Sequence, residues 1–445
     1  AEHGPGWERV RRVLAWRAMV DASGEATGDA KVEPQSSERA CPFPPGGRGL
    51  PVVGETLEFL RGPRAFFERR KARFGPVFTS RVLGMRLVSL VGVDANRWIF
   101  TNEDKVLRNR WSYAIRRLLG ADALSLLVGE AHRARRRVLA PHFRRAGLGP
   151  LVEPLAEVAR EHLRRWAAAG GETIAVERFK HLAFEIAARY IFGDVERLDL
   201  DALSHDFDDW VQGMFVPVPL PLPGTTFGRA MAARKRMFAA IEAEVERRAG
   251  STARGDDVLS TLLDVRDEEG RPLPRSTIVD EIQLLMFAGH DTTVTAMTNI
   301  LLHLGEHPEV LARARAEQDA EQGAPLTLER LRAMPWLDAV ISESMRVIPP
   351  VGGAFRELTQ DVEYGGFRLQ KGWTVSMSPG LAHGDESVWT EPERFDPTRF
   401  EPAADEARHK QAFLPFSAGP RTCIGNHFAL MEGPLVLATM LPRVD

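Results

Sequence analysis

The chain has 445 residues, a formal net charge of −3 and a sequence pI near 6.5. That length holds a large hydrophobic core, and the near-neutral charge excludes a general pull toward nucleic acid or an anionic membrane. Two cysteines, Cys41 and Cys423, exclude a disulfide framework and fit a cytoplasmic protein. No apolar run approaches the roughly 18–20 residues of a transmembrane anchor, and no signal-peptide core opens the chain.

Residues 1–40 stand apart as an N-terminal extension. Trp7, Val10, Val13, Leu14 and Val20 alternate with Arg9, Arg11, Arg12 and Arg17, which predicts a short basic amphipathic helix. A polar linker follows over 21–40. The body, 41–445, opens on a proline-rich entry segment at 41–51, stiff and extended. Residues 77–91 read as a β-hairpin turning at Gly84-Met85. Helical periodicity then dominates, over 130–143, 151–166, 173–192, 227–248 and 276–304. The last pattern, about 29 residues, would span roughly 43 Å and must cross the whole molecule. Between two of these helices, 216–224 is an apolar proline-rich loop that cannot be helical and reads as a binding mouth.

Four stretches carry candidate chemistry. At 416–425, Phe416-Ser-Ala-Gly-Pro-Arg-Thr-Cys-Ile-Gly425 places a cysteine in a tight turn just before a helix N-terminus, where free N–H groups favour a thiolate. At 288–293, Ala-Gly-His-Asp-Thr-Thr interrupts the apolar face of the long helix. Glycine and hydroxyls that bond back to the preceding turn predict a bend and a local groove there. An alcohol beside an acid, Thr292 and Asp291, suits controlled proton delivery. At 343–346, Glu343 and Arg346 share one helix face. At 129–136, His132 and Arg136 lie one turn apart on a basic helix. Each has an ordinary reading as well: a buried thiol, a core helix, a surface pair, a solvated basic face.

Taken together and in this order, the four stretches resemble the motifs of the cytochrome P-450 superfamily: F-x-x-G-x-R-x-C-x-G, A-G-x-D/E-T-T, E-x-x-R and G-x-x-H/W-x-x-x-R. The resemblance implies a mainly α fold with a small β region, with haem between the long central helix and the helix after the cysteine loop. It implies haem b with Cys423 as the iron ligand, in a loop framed by Phe416, Arg421 and Gly425. Ala288 and Gly289 would face the haem, Thr292 would hydrogen-bond the bound oxygen, and Asp291 would feed protons. His132, Arg136, Arg356 and Arg421 would hold the haem propionates. Glu343, Arg346 and Arg394, the last in Pro392-Glu-Arg-Phe395, would form a buried ion triad locking the loop beneath the haem.

The activity implied is insertion of one atom of O2 into a lipophilic small molecule. Electrons derived from NAD(P)H would arrive through a ferredoxin or flavodoxin and its reductase, since no reductase domain fits beside this body. The basic helix around 131–145 would face that acidic donor. A pocket wall of Trp111, Met214, Phe215, Leu285, Val351, Ala354 and Phe355 is largely apolar, and Arg108, Arg110, Arg116 and Arg117 nearby could receive a carboxylate. Local stretches at 49–59, 129–136 and 225–230 are similar to retinoic-acid hydroxylases and their cyanobacterial relatives, which implies an isoprenoid, retinoid-like or fatty-acid substrate. Members of the family continue past the helix after the cysteine into a β-hairpin, so the chain is expected to lack that element. The rival activities are a haem-thiolate isomerase or peroxygenase, which tend to lack the acid–alcohol pair, and a non-catalytic haem sensor.

Overall fold

The computed structural model of the chain describes residues 41–442, apart from 48, 51–53, 83, 145–146, 171–173, 252–254, 268, 320–324, 402–403 and 405–411. The amphipathic segment expected at 7–20 and the linker at 21–40 lie outside the described residues.

The hairpin forms where the alternation predicts it. Strand β1 (Val77–Val82) pairs antiparallel with β2 (Met85–Leu90), Val82 opposite Met85, around Gly84 at φ +73°. That left-handed φ is what requires glycine in the turn. Strands β3 (Leu107–Asn109), β4 (Ala354–Leu358) and β7 (Thr374–Met377) complete a five-stranded sheet in the order β1-β2-β7-β4-β3. β5 (Val362–Tyr364) and β6 (Phe367–Leu369) make a separate hairpin.

The rest is helical. The helices that position the site are α1 (Gly129–Leu139), α2 (Val152–Ala169), α3 (Ala175–Phe192), α4 (Leu200–Met214), α5 (Thr226–Ala249), α6 (Arg275–Glu306), α7 (Pro335–Val347) and α8 (Asn426–Met440). The predicted helix at 130–143 is α1 plus a 3₁₀ turn, Ala140–Phe143, where Pro141 cannot continue the α-helical bonding. Helix α4 was not anticipated, although Leu203, Phe207, Trp210 and Met214 recur at helical spacing and are all buried. Asp199 caps it through Ala202 N–H. Between α4 and α5 the proline-rich loop exposes Val218, Leu220 and Leu222.

α6 organises the core. Its first half (Ile278, Val279, Ile282, Met286) packs in one cluster with α3, α4 and α5. Its second half (Val294, Met297, Ile300, Leu304) packs in another with α2, α7 and α8. At 32 residues it is about 48 Å long and crosses the molecule, as its sequence period required.

Candidate active site

The cysteine loop is held by its own backbone. Cys423 N–H donates to Phe416 O at 2.9 Å, and the 3₁₀ turn Gly419–Arg421 closes it. Gly419 has φ +69°, and a Cβ there would come 3.1 Å from Phe100 Cβ, so glycine is needed both for the turn and for the close approach. Gly425 has an ordinary φ of −88°; its contribution is room, because the nearest atom to a Cβ there would be the Cys423 Sγ, 4.0 Å away. Cys423 is accessible, yet burial pushes its thiol pKa up, against the smaller opposing pull of Gly425 N–H and of Arg136. The sulfur therefore opens into an internal cleft. The Gly425 N–H pulls toward the thiolate, as the helix terminus predicts, burial pulls the other way, and a coordinated metal ion would hold the sulfur deprotonated.

α6 faces the same region. α6 and α8 touch where Thr293 Oγ1 donates to Glu432 Oε2 at 3.0 Å. They touch again where Met297 meets Gly433. Upstream of these contacts the helices part: Ala288 is exposed in the middle of a core helix, and a Cβ on Gly289 would meet nothing within 4 Å. The groove predicted from a bend exists without one. α6 runs unbroken, Thr292 Oγ1 bonds back to Ala288 O at 2.6 Å, and the opening comes from missing side-chain bulk.

The four basic residues expected at the rim are brought together. His132 is buried with no partner for Nδ1, and burial, then Arg421 and Arg136, lowers its pKa to about 4. Arg136 is half-buried, and burial pulls its pKa down. Arg421 and Arg356 both donate to the buried Glu103, at 3.1 and 2.5 Å; Arg356 also reaches Asn109 Oδ1. Sequence reasoning missed Glu103, which lies 253 residues from Arg356 and shows no local pattern.

Beneath the loop, Glu343 and Arg346 form a fully buried bidentate pair at 2.6 and 2.8 Å. The third member is not Arg394. That side chain is 63 % exposed beside Glu391 and Asp396, and only its carbonyl accepts from Arg346. Arg399, 7 % exposed and 3.4 Å from Glu343, takes the position instead. Two arginines five residues apart compete for one acid, and the 3₁₀ turn Pro397–Phe400 is what turns the second one inward. His383 extends this network. Its Nε2 accepts from Leu414 N–H at 2.9 Å, so Nδ1 carries the hydrogen and donates to Arg346 O at 3.1 Å. Leu414 leads straight into the cysteine loop.

The pocket residues are only partly assembled. Trp111 is held by Ser125 O at 2.8 Å and, with Leu126 and Val128, lines a cavity of about 810 Å³. Arg108, Arg110, Arg116, Arg117 and Glu357 line it too. Leu285 and Trp111 both pack, partly buried, against the cluster around the first half of α6, while Ala354 and Phe355 are half-buried in β4. Val351 and Phe215 are exposed. Met214 is a correction: it is 1 % exposed, locked in the α4–α5 packing, with no surface to offer a ligand. The basic stretch is also less free than expected. Arg135 is bound to buried Glu281 at 2.7 Å, Arg133 to Glu130 and Asp104, and Arg137 to Glu130. Arg144 stays exposed.

A sulfur donor on one side, a side-chain-poor opening on the other, and unspent basic groups at the rim fit a flat, anionic, metal-bearing group: haem held by thiolate. The Cytochrome P450 family profile matches residues 44–444, and the chain belongs to that family. Over 91 % of each chain it is 37 % identical to a putative cytochrome P450 120 of Synechocystis sp.. It is 31 % identical to a taxoid 7-beta-hydroxylase of Taxus cuspidata, over 88 % of this chain and 81 % of the relative. A solved structure, retinoic acid bound cyanobacterial CYP120A1, superposes with a TM-score of 0.85 at 37 % identity, covering 92 % of this chain and 93 % of the other. The protein is a P450 monooxygenase of the kind that hydroxylates lipophilic molecules. No helix among the described residues is long and apolar enough to cross a membrane.

Proposed function

We propose that this enzyme hydroxylates an isoprenoid-like lipophile that carries a carboxylate, in the cytoplasm, with NAD(P)H-derived electrons from a separate ferredoxin or flavodoxin and its reductase. The observation that carries the substrate class is the cavity beside Trp111. Its apolar wall (Trp111, Leu126, Val128) suits a hydrocarbon chain. Its charge balance suits an acid: Glu357 engages Arg108 and Arg110, whereas Arg116 and Arg117 have no carboxylate partner among the described residues. The CYP120A1 structure, with retinoic acid bound, supports the same chemistry.

Haem b, bound through Cys423, would supply oxygen activation, with the thiolate favouring O–O cleavage. His132, Arg136 and Arg421 would receive the propionates, Arg356 acting through Glu103, and Phe416 and Gly425 would keep the sulfur side in shape. Thr292 has committed its hydroxyl hydrogen to Ala288 O, so its lone pairs are left to accept a hydrogen bond in the cleft. Asp291, one residue away and 37 % exposed, would pass protons inward through water. Arg144 and the partly neutralised face of α1 would meet an acidic donor.

An optical titration of the ferric holoenzyme with retinoic acid, a fatty acid and a neutral terpene tests the reading. A saturable low- to high-spin shift with the carboxylated isoprenoid, and weaker binding of its methyl ester, is the expected result. A shift with the neutral terpene alone would overturn the carboxylate.

A further inference from the structure

The residue between Gly289 and Asp291 in the cleft-facing segment has no assigned role, and its surroundings are unusual. His290 is 2 % exposed, in the middle of α6. Its Nε2 lies 3.1 Å from Lys180 O on α3, and its Nδ1 lies 3.1 Å from Asp291 Oδ1. Phe207 and Phe184 meet the ring edge-on, with centroids at 4.7 and 6.2 Å, and fix its plane. The other charged groups on the packed helices are engaged elsewhere. Lys180 pairs with Glu177 and Asp208, Asp206 with Arg236, and His181 and His205 are exposed. Asp291 is the anion that faces the ring.

A carbonyl oxygen only accepts, so Nε2 must carry hydrogen. If Nδ1 were bare and Asp291 ionised, two lone pairs would face each other at 3.1 Å, on the side of a buried ring. Two arrangements satisfy the contact: an imidazolium donating to a carboxylate, or a carboxylic acid donating to a neutral ring. Both hold two protons, where a separate imidazole and carboxylate at neutral pH hold one. We propose that His290 and Asp291 form a proton store, with His290 as the positioning residue that keeps a transferable proton at Asp291 Oδ1. In each delivery the shared proton moves onto Asp291, the His290 Nδ1–H bond breaking as an Asp291 O–H bond forms, and that O–H bond then breaks toward a cleft water. A solvent proton entering through the partly exposed carboxyl restores the pair. No electrons move. The inference rests on the reading of Asp291 given above.

The deciding experiment is nitrogen NMR of the reduced, carbon monoxide-bound holoenzyme labelled with 15N-histidine, assigned with His290→Phe, joined to infrared detection of a carboxylic acid band that Asp291→Asn removes. Either two protonated ring nitrogens at neutral pH, or one together with that band, is expected. One protonated nitrogen with an ionised Asp291 overturns the store. The second readout is coupling, product formed per NAD(P)H with retinoic acid as probe. His290→Phe keeps the aromatic packing and is expected to lower coupling about tenfold, a loss equal to one charge-assisted hydrogen bond, with a larger solvent isotope effect. His290→Asn keeps a donor toward Asp291 but holds no extra proton, so it should behave like His290→Phe. Full coupling in His290→Asn would leave only orientation and overturn the store. If Asp291→Asn is uncoupled while both His290 variants match the parent, this inference alone fails. If Asp291→Asn stays coupled, the reading of Asp291 fails with it.

Discussion

Thr293 on α6 donates a 3.0 Å hydrogen bond to Glu432 on α8, and among the described residues that is the carboxyl's one hydrogen bond. Glu432 is 2 % exposed, and burial raises its pKa from the usual 4.5 to about 8. The two helices that enclose the cleft are thus joined through a neutral carboxylic acid. Between pH 4.5 and 8 the folded chain holds this proton and the unfolded chain does not. Stability therefore falls as pH rises, by about 1.4 kcal/mol per unit for this group. Glu432→Gln keeps an acceptor for Thr293 and removes the slope. Denaturant melts of both proteins at pH 5, 6.5 and 8 should show the variant gaining on the parent as pH rises; a constant difference would contradict the assignment.

Arg399 and Arg394 separate cleanly in effect. Removing Arg399 leaves Glu343 short of a buried partner and should cost about 3 kcal/mol or more, with loss of bound haem. Arg394→Ala removes an exposed side chain and should stay within about 0.5 kcal/mol of the parent. Urea melts and haem content measure both, and equal effects would restore Arg394 to the triad.

His383 makes the protein acid-sensitive. Burial, with the nearby Arg346 and Arg64 charges, lowers its pKa from 6.5 to about 3, and its bare Nε2 accepts from Leu414 N–H. As pH falls from 6.5 toward 3 the unfolded chain takes up a proton that the folded chain refuses, so stability is present above that window and is lost through it. His132, lowered to about 4, adds to the same trend. His383→Leu should be less stable at pH 7, by about 2 kcal/mol for two lost hydrogen bonds, with a shallower decline in acid. A decline as steep as the parent's would show that the window belongs to other groups.

Arg116 and Arg117 supply the charge test of the cavity. Their joint replacement by alanine should weaken binding of a carboxylated isoprenoid roughly 3- to 10-fold, the range for one solvent-accessible ion pair, and leave its methyl ester unchanged. Equal losses for acid and ester would mean that the arginines shape the wall without reading charge.

What the sequence made legible was local. The hairpin at Gly84, the period of α6 and the Cys423 loop each declare themselves within a few residues, because turn chemistry and helical spacing act over that range. His132 and Arg136 sit one turn apart on one helix, and that spacing was equally readable. Contacts closed by tertiary packing were not. Glu103 meets Arg356 across 253 residues, and burial alone separates Arg399 from Arg394. Met214 has the right composition for a pocket wall, but its place between α4 and α5 depends on a helix whose pattern lay unread among four aspartates and a histidine.

The central claim is that Cys423 binds haem iron as a thiolate, and the carbon monoxide difference spectrum of the reduced holoenzyme tests it most directly. The account predicts the long-wavelength Soret band of thiolate ligation in the parent and its replacement by a histidine-type band in Cys423→His. A thiolate-type band that persists in Cys423→His, or a parent that binds no haem, would contradict it.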